Sequence, residues 1–382
     1  MRENMKIAIF GGSFNPVHNE HINIVKAVKK TLAPDKIIIM PSSVTPQKYG
    51  KMTASAADRM NMCKMAFCGM DEVEISDYEI AKGGVSYSYI TCRALREKYP
   101  EGELYFVTGC DMLKSFAEWK YPEEILKCVK LAACARENRR EFNNAEKDFK
   151  KRFGCGIVNI DYTGAKVSST RIRVLSSLGE SISGFVPAKI ESYISNRSLY
   201  FLPEISAVKK YLTPPRWAHT VRVAVTAAEN CTRLGIDEKT AVIAAALHDC
   251  AKYLTPDAEE LKGFVCPADV PQPVIHQYAG EYVARNTFGI ADENILNAIR
   301  YHASGREDMS GLEKLIYLSD MLEEGRNFSG VEKLREEFSR SIDGGLFSAL
   351  EHQLDYLKST GGQIYPLTQR AYDYLRKNKN DK

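Results

Sequence analysis

The first half of the chain alternates short β-branched apolar runs with segments of helical periodicity. The apolar runs read KIAIF, KIIIMP, ELYFVTG, KLAACA and GIVNID, and the helical segment INIVKAVKKTL separates the first two. Such alternation predicts crossover units that build a parallel sheet with helices on both faces. We therefore expect residues 1–202 to form an α/β domain with a parallel Rossmann-like sheet.

From about Pro203 the pattern becomes helical. The segments HTVRVAVTAAENCTRLG, EKTAVIAAALHDCAKYL, HQYAGEYVARNTFG, ENILNAIRYHASG and GLEKLIYLSDMLEEG have helical spacing, and several end in glycine. No strand pattern of comparable quality occurs in this half. We expect residues 203–382 to form a second, all-α helical bundle, and a length of 382 residues suits two domains.

Composition narrows the class of protein. Hydrophobic residues make up 44% and charged residues 26%, and the longest apolar runs are shorter than a membrane span. The N-terminus lacks the pattern of a signal peptide, so we predict a cytoplasmic protein without a membrane partner. A net charge of +3 gives no general attraction to nucleic acid, and the ten scattered cysteines are expected to be reduced, mostly buried thiols. Composition does not determine the oligomeric state.

The loop after the first predicted strand reads GGSFNPVHNEH and allows three interpretations. It could hold a phosphate, because Gly11 and Gly12 let the backbone approach an anion and a helix N-terminus follows. His18 and His21, three residues apart, could bind a metal, although no third ligand lies nearby in sequence. The same histidines could simply cover the start of the helix, so the loop alone decides nothing.

A second segment, VSSTRIR, favours the phosphate interpretation. It places two serines, a threonine and two arginines at the predicted start of a helix, which is a second site of the kind that binds anions. Two such loops suit a triphosphate. GGSFNPVH with His21, SYSYI, TGCDMLKSFAEW and SSTRIR together resemble bacterial nicotinate mononucleotide adenylyltransferase over about Met5 to Tyr200.

The resemblance implies transfer of AMP from ATP to nicotinate mononucleotide, with Mg²⁺ carried on the ATP phosphates. The residues at the family's ATP-binding positions are Gly11, Gly12, Ser13, Phe14, His18, His21, Lys48, Ser169, Thr170 and Arg173, of which His18, His21 and Arg173 are the expected catalytic residues. Those at the nicotinate-nucleotide positions are Tyr87, Ser88, Asp111 and Trp119. Trp119 would stack on the pyridine ring, with a plain core residue as the less favoured alternative.

Two positions depart from this family. Glu20 stands where the family has glycine, and it brings a carboxylate toward the anion site, which is unfavourable unless the side chain points away. On this basis we expect Glu20→Gly to raise adenylyl transfer. Gln47 replaces a family histidine, whereas the following Lys48 is retained.

In the second half, histidines and aspartates follow apolar residues at helical spacing. His248 follows Ala241, Ala244 and Ala245, and His302 has a similar apolar background. A single histidine in such a place is usually a satisfied core residue. Several of them together with aspartates are expected to converge on one or two metal ions, because buried, unpaired carboxylates are costly.

The segments RWAHT, LHDCAKYL, VIHQYAG, RYHASG and LSDMLEEGR resemble the HD-domain phosphohydrolases, and more closely the bacterial YqeK-type enzymes that cleave diadenosine tetraphosphate into two ADP. The resemblance implies six metal ligands, namely His219, His248, Asp249, His276, His302 and Asp320, with Asp249 also catalytic. It implies a divalent metal, iron or Mn²⁺. Lys252 and Arg326 fall at phosphate-binding positions, although each could instead form an ordinary salt bridge.

The sequence therefore predicts a bifunctional enzyme whose partners are the small nucleotides ATP, nicotinate mononucleotide and diadenosine tetraphosphate. Two alternatives remain open. The HD half could act on another nucleotide phosphate ester, such as a nucleoside monophosphate or an alarmone. The first half, with Glu20 and Gln47 in place of the family residues, could be a nucleotide-binding regulatory module.

Overall fold

A computed structural model describes residues 5–43, 50–136, 139–165 and 167–380. By contact density the chain divides into two compact units. The first comprises residues 1–49, 53–173 and 181–199, and the second comprises residues 50–52, 174–180 and 200–382.

The first unit is built on a six-stranded parallel sheet with the strand order β3-β2-β1-β4-β5-β6. The strands are β1 Lys6–Gly12, β2 Lys36–Pro41, β3 Val73–Ile75, β4 Glu103–Gly109, β5 Lys130–Arg136 and β6 Val158–Gly164. Five of them coincide with the apolar runs of the sequence, and the predicted α/β fold is confirmed. The sequence pattern does not predict β3, because this strand has only three residues, all half-buried.

The helices of the α/β part are α1 Asn19–Leu32, α2 Ala56–Ala66, α3 Tyr78–Lys82, α4 Ser88–Lys98, α5 Cys110–Lys114, α6 Pro122–Cys128, α7 Arg139–Phe153, α8 Ser169–Ser177 and α9 Ala188–Asn196. Strand order reverses between β1 and β4, where Phe10 lies opposite Val107. In an open parallel sheet, ligands bind beyond the carboxyl ends of the strands at this switch point. The loops after Gly12 and Gly109 both begin there.

The second unit is helical. Its helices are α10 Pro214–Asn230, α11 Glu238–Leu247, α12 Ile275–Asn286, α13 Glu293–Arg300, α14 Gly311–Leu322, α15 Val331–Arg340, α16 Ile342–Thr360 and α17 Pro366–Asn380. Helix α11 lies at the centre and packs against α10, α13 and α14, and its residues from Ala241 to Leu247 are all buried. An apolar helix of this kind is buried on every side, so the residues that follow it begin inside the core.

None of the ten cysteines, all of which lie in the described residues, forms a disulfide bond, and six of them are buried. Among the described residues, none of the helices has the length and apolar character needed to span a membrane.

Candidate functional sites

The glycine turn after β1 is shaped by Phe14. This residue is buried and has a φ of 46°, and its ring packs against those of Phe10 and His21, with centroid distances of 5.6 and 4.9 Å. A Cβ on Gly12 would lie only 3.3 Å from the Phe14 ring. Gly12 therefore admits the aromatic ring that fixes the loop, which is a structural reason for glycine at this position.

His18 and His21 lie together at the start of α1, as the sequence predicted. Their rings stack with centroids 3.7 Å apart, and the His18 backbone N–H donates to His21 Nδ1 at 3.1 Å. Because Nδ1 of His21 is an acceptor, the neutral ring carries its proton on Nε2. His21 can therefore donate a hydrogen bond through Nε2. His18 is almost fully buried.

Two buried guanidinium groups brace this loop. Arg59 donates from Nη1 to the carbonyls of Ser13 at 2.8 Å and Ser42 at 2.7 Å. Arg173 donates from Nη1 to the Asn15 carbonyl at 2.6 Å and from Nη2 to the Thr170 hydroxyl at 3.0 Å. The loop is thus held rigid by charge-assisted hydrogen bonds.

The VSSTRIR segment begins α8, as predicted, and lies against the loop after β1. The Ser169 hydroxyl donates to the Pro16 carbonyl at 3.0 Å. The Ser168 hydroxyl accepts from the Arg171 N–H at 3.1 Å, as a cap of the helix start. The structure therefore brings the two predicted anion loops together.

Glu20 does not oppose this site in the way the sequence suggested. Its Oε2 accepts hydrogen bonds from the Tyr162 hydroxyl at 2.8 Å and from the Ala165 N–H at 2.9 Å, and its Oε1 accepts from Asn23 Nδ2 at 3.2 Å. The side chain reaches the end of β6, where a Cβ on Gly164 would lie 2.6 Å from Oε2. The structure therefore meets the exception stated from the sequence, because the Glu20 carboxylate points to the end of β6 and is hydrogen-bonded there.

Aromatic and basic residues surround the start of α4. Tyr87 is the N-cap and Ser88 the first residue of this helix, and the Tyr87 side chain makes no capping hydrogen bond. The Lys120 ammonium lies 4.5 Å from the Tyr87 ring centroid. Trp119 packs against Phe106 and Phe116, with ring centroids 5.9 and 5.2 Å away.

The sequence also indicated Asp111, Lys48 and Gln47 in this part of the chain. Asp111 lies in the first turn of α5. Lys48 and Gln47 fall outside the described residues.

In the second unit the six predicted ligands lie close together, but not all of them are on helices. His219, His276 and Asp320 belong to α10, α12 and α14. His248 and Asp249 directly follow α11, and His302 follows the end of α13. The expectation that the pattern continues as helix through these three residues is wrong.

The imidazoles themselves account for the early helix ends. His248 Nδ1 lies 2.6 Å from the Ala245 carbonyl, and His302 Nδ1 lies 2.7 Å from the Ile299 carbonyl. Each ring thus satisfies a carbonyl that the last helical turn leaves without a partner. Both helices also direct the negative ends of their dipoles toward the cluster, which favours a cation there.

Asp249 lies at the centre of the cluster. Its Oδ2 is 3.3 Å from His248 Nε2, and its Oδ1 is 3.4 Å from His276 Nε2 and 3.5 Å from His302 Nε2. Burial alone would raise its pKa, but the neighbouring His248 and His302 outweigh burial and hold the pKa well below its usual range. Gly280 brings α12 close, because its Cβ position is 3.4 Å from the His248 carbonyl oxygen.

Several buried atoms of the cluster suit a metal ion. Nδ1 of His219, His248 and His302 each faces a carboxylate or carbonyl oxygen, and a ring that carries its proton on Nδ1 offers the Nε2 lone pair to a metal. His219 Nε2 lies 2.9 Å from Asp320 Oδ1. Among the described residues, the buried atoms without a hydrogen-bond partner include His248 Nε2 and Asp249 Oδ1. Two groups have donor atoms close enough for one ion, namely His219, His248 and Asp320, and His248, Asp249 and His302. Nitrogen and carboxylate donors of this kind fit a divalent transition metal.

The sequence did not identify Glu323 as part of this site. Its carboxylate is 99% buried, with Oε1 3.1 Å from His219 Nδ1 and Oε2 2.5 Å from Arg222 Nε. Burial would raise its pKa, but hydrogen bonds from His219, Arg222 and the Gly325 N–H lower it to about 2. Glu323 is therefore an anionic partner that orients the His219 ring.

Basic side chains flank the carboxylates. Arg216 Nη1 is 3.0 Å from Asp249 Oδ2, and Arg326 Nη2 is 2.7 Å from Asp320 Oδ1. Lys252 Nζ is 3.0 Å from His276 Nε2, and burial, His302 and this lysine together lower the pKa of His276 to about 3. Arg326 thus forms the ion pair that the sequence left open as an alternative to phosphate binding.

A cavity of about 620 Å³ opens beside the cluster. Its walls include Asp249, His276, His302, Asp320 and the three basic residues described above. Cavities of this size commonly hold small molecules.

Comparisons with known proteins match a different family in each half of the chain. Residues 9–175 match the cytidylyltransferase-like family model, and residues 216–325 match the HD domain. A Mycoplasma genitalium protein named probable nicotinate-nucleotide adenylyltransferase/Ap4A hydrolase is 29% identical over 97% of this chain and 99% of its own length.

Two relatives match one half each. A probable nicotinate-nucleotide adenylyltransferase of Clostridium tetani is 36% identical over 51% of this chain and 98% of its own length. A symmetrical bis(5'-nucleosyl)-tetraphosphatase of Halalkalibacterium halodurans is 35% identical over 45% of this chain and 94% of its own length.

Proposed function

Because the chain belongs in one half to the nicotinate-nucleotide adenylyltransferases and in the other to the symmetrical bis(5'-nucleosyl)-tetraphosphatases with an HD domain, we propose that it is a bifunctional enzyme. Residues 1–202 form the domain that transfers AMP from ATP to nicotinate mononucleotide. Residues 203–382 form the domain that hydrolyses diadenosine tetraphosphate to two ADP at a dinuclear metal site. The partners are these nucleotides.

The main support for adenylyl transfer is the contact between the two anion loops. In this contact the Ser169 hydroxyl donates a hydrogen bond to the Pro16 carbonyl. In the reaction a phosphate oxygen of nicotinate mononucleotide bonds to the α-phosphorus of ATP. The bond from that phosphorus to pyrophosphate breaks, and pyrophosphate leaves with the electron pair. The attacking oxygen is already ionised at neutral pH, so the protein supplies positioning and positive charge rather than a base.

His21 has a defined part in this scheme. Its Nδ1 accepts from the His18 N–H, so the neutral ring carries its proton on Nε2, and this Nε2–H is proposed to donate to a phosphate oxygen. His18, Ser169, Thr170 and Arg173 line the same junction and are proposed to bind the triphosphate. Mg²⁺ enters with ATP and neutralises phosphate charge.

The nicotinate carboxylate is proposed to bind at the start of α4. The backbone N–H groups of Tyr87 and Ser88 lie at a helix N-terminus, and the nearby Lys120 ammonium adds positive charge. Trp119 is proposed to contact the pyridine ring through the indole surface left by Phe106 and Phe116. Asp111 is proposed to contact the nucleotide.

Pyrophosphate release from ATP tests this half. We expect release only when nicotinate mononucleotide is present, with formation of nicotinate adenine dinucleotide. A nucleotide-binding regulatory module would bind ATP without substrate-dependent release, so this outcome would reject the transferase proposal.

The hydrolase proposal is carried by the buried atoms His248 Nε2 and Asp249 Oδ1, which have no hydrogen-bond partner among the described residues, and by His219 Nε2, which lies 2.9 Å from Asp320 Oδ1. The residues that would hold the metal are His219, His248, Asp249, His276, His302 and Asp320. Iron or manganese bound by them would supply Lewis acidity and make water a stronger nucleophile.

Protein groups account for the rest of this reaction. Water adds to one of the two central phosphorus atoms, the P–O bond to the other half breaks, and a proton passes to solvent, which yields two ADP. Lys252, Arg216 and Arg326 bring positive charge to the phosphates. Glu323 keeps the His219 ring in its orientation.

Product chromatography with diadenosine tetraphosphate tests this half. We expect ADP as the sole nucleotide product. Formation of AMP and ATP would reject symmetrical cleavage. Absence of turnover together with hydrolysis of a nucleoside monophosphate or an alarmone would assign the site to another phosphate ester.

A further inference from the structure

Two neighbouring serines contact both substrate regions of the proposed transferase. Ser42 and Ser43 directly follow β2, which pairs with β1 up to the register of Gly12 with Pro41, so the loop after β1 begins beside them. The segment that precedes α4 also contacts them. We call residues 13–18 the ATP loop and residues 83–87 the nicotinate loop, after the ligands proposed for them.

The contact with the ATP loop is made by Arg59. This residue of α2 is almost fully buried, and its Nη1 donates to the carbonyls of Ser13 at 2.8 Å and Ser42 at 2.7 Å. Its Nη2 donates to the Ser43 carbonyl at 3.3 Å. A guanidinium group presents its donors in a fixed planar fork, whereas an ammonium group has a single donor atom. Arginine can therefore hold the carbonyls of both segments at a defined separation.

Helix α2 is itself anchored, which fixes the origin of the Arg59 side chain. The Ser55 hydroxyl caps the helix by accepting from the Asp58 N–H at 3.0 Å. The Asp58 carboxylate accepts from the Tyr193 hydroxyl at 2.8 Å and pairs with Arg197 at 2.7 Å. These contacts join the first turn of α2 to the end of α9, and Arg59 extends from this anchored turn.

The contact with the nicotinate loop is made by Ser86. The Ser43 N–H donates to the Ser86 hydroxyl at 3.0 Å. Ser86 directly precedes Tyr87, the N-cap of the helix whose N-terminus is proposed to bind the nicotinate carboxylate. The backbone of Ser43 is thus held at both of its polar groups, by Ser86 at the N–H and by Arg59 at the carbonyl.

We infer that Arg59 and Ser86 are positioning residues for adenylyl transfer, which set the spacing between the ATP loop and the nicotinate loop through the backbone of Ser42 and Ser43. The inference rests on the proposed transferase function and extends it to two residues that act through other groups. The attacking phosphate oxygen must lie close to and in line with the α-phosphorus of ATP, and a misplacement of about 1 Å can lower a rate about 100-fold. The reaction therefore depends on the spacing of the two loops.

Nicotinate adenine dinucleotide is a probe of this spacing, because it occupies both proposed regions at once, whereas nicotinate mononucleotide occupies one. Calorimetric titrations of the full-length protein with each ligand compare wild type, Ser86→Ala, Ser86→Thr, Arg59→Lys and the double variant. Arg96→Lys is the matched control. Arg96 also donates to backbone carbonyls, those of Gly102 and Cys128, but these lie near the amino ends of β4 and β5, at the opposite edge of the sheet.

We expect Ser86→Ala to weaken binding of the dinucleotide about 3- to 10-fold, the value of one neutral hydrogen bond, and Arg59→Lys to weaken it at least as much. Binding of nicotinate mononucleotide should stay within about 2-fold of wild type, because a ligand held by one loop does not need the other at a fixed distance. Ser86→Thr keeps the accepting hydroxyl and should retain wild-type affinity. The kcat for pyrophosphate release should fall about 10- to 100-fold in Ser86→Ala and Arg59→Lys and stay near wild type in Arg96→Lys.

The double variant tests whether the two residues act on one spacing. Ser86→Ala should add less than about 2-fold to the loss already caused by Arg59→Lys, because both side chains act through Ser43. Losses that multiply, or equal losses for the dinucleotide and the mononucleotide, would assign separate structural roles and overturn the inference. Wild-type pyrophosphate release with losses no larger than in Arg96→Lys would overturn it alone. Absence of that release in wild type would reject the transferase proposal and this inference together.

Discussion

The carboxylate of Glu20 accepts a hydrogen bond from the phenol of Tyr162 at 2.8 Å. Glu20 lies in the first turn of α1 and Tyr162 lies on β6, so the bond joins the helix that follows the first anion loop to the strand that precedes the second. The same carboxylate oxygen accepts from the Ala165 N–H. Glu20, whose charge alone would be unfavourable near phosphates, therefore links α1 to the end of β6.

We predict that Glu20→Gly lowers adenylyl transfer instead of raising it. The substitution leaves the half-buried Tyr162 hydroxyl and the Ala165 N–H without their acceptor, a loss of about 1–3 kcal/mol. Initial rates of pyrophosphate release at several ATP concentrations measure the effect, which should fall mainly on KM for ATP. Glu20→Gln, which keeps an acceptor oxygen, should retain most of the activity. A faster Glu20→Gly enzyme would show that the carboxylate opposes the phosphates after all.

Lys120 should influence the choice between an acid and an amide substrate. Its ammonium lies 4.5 Å from the Tyr87 ring, beside the proposed carboxylate site. We predict that Lys120→Met lowers kcat/KM for nicotinate mononucleotide about 5- to 10-fold, the scale of one partly exposed charged interaction, and leaves the nicotinamide analogue nearly unchanged. Lys114→Met, on α5, serves as the control. Equal losses with both substrates would assign Lys120 a general structural role.

Glu323 should control how tightly the metal is held. We predict that Glu323→Ala weakens iron or manganese binding about 10- to 100-fold, because His219 loses the partner that orients its ring. Competition with a chelator of known affinity measures the dissociation constant without an activity assay. The control, Glu293→Gln, changes an exposed carboxylate of α13. Metal affinity equal to that of wild type would exclude the orienting role.

Position 325 requires glycine because the Arg222 guanidinium lies against it. A Cβ at Gly325 would lie 2.5 Å from Arg222 Nε, which itself holds Glu323. We predict that Gly325→Ala displaces the guanidinium and destabilises the helical unit by about 1.5–3 kcal/mol, the value of a hydrogen bond to a charged group. Thermal unfolding measures the shift. Gly311→Ala should be almost neutral, because its nearest neighbour is 3.7 Å away, and equal shifts in the two variants would refute the steric explanation.

Much of the first unit follows from its sequence, because strands buried on both faces require apolar runs and the loops between them require glycine and capping residues. β1 and α1 illustrate this. The role of Arg59 could not be predicted, since an arginine within a helical pattern normally indicates solvent exposure. Only the fold brings its guanidinium to the carbonyls of Ser13 and Ser42.

In the second unit, the apolar neighbours of the histidines and aspartates indicated a buried cluster, and the structure brings those residues together. The pattern did not reveal that α11 and α13 end at His248 and near His302, because helical spacing continues past the point where an imidazole replaces the next backbone hydrogen bond. The sequence does not predict a role for Glu323, because an acidic residue in the segment DMLEEGR is typical of a solvated surface.

The most direct test of two independent active sites in one chain is to assay a single preparation for both reactions in wild type, His21→Ala and Asp249→Ala. If the two sites are independent, Asp249→Ala abolishes ADP formation from diadenosine tetraphosphate and lowers the metal content, while pyrophosphate release from ATP with nicotinate mononucleotide persists. His21→Ala should have the opposite effect. Loss of both activities in either variant of a folded protein, or full ADP formation and metal content in Asp249→Ala, would contradict two independent sites.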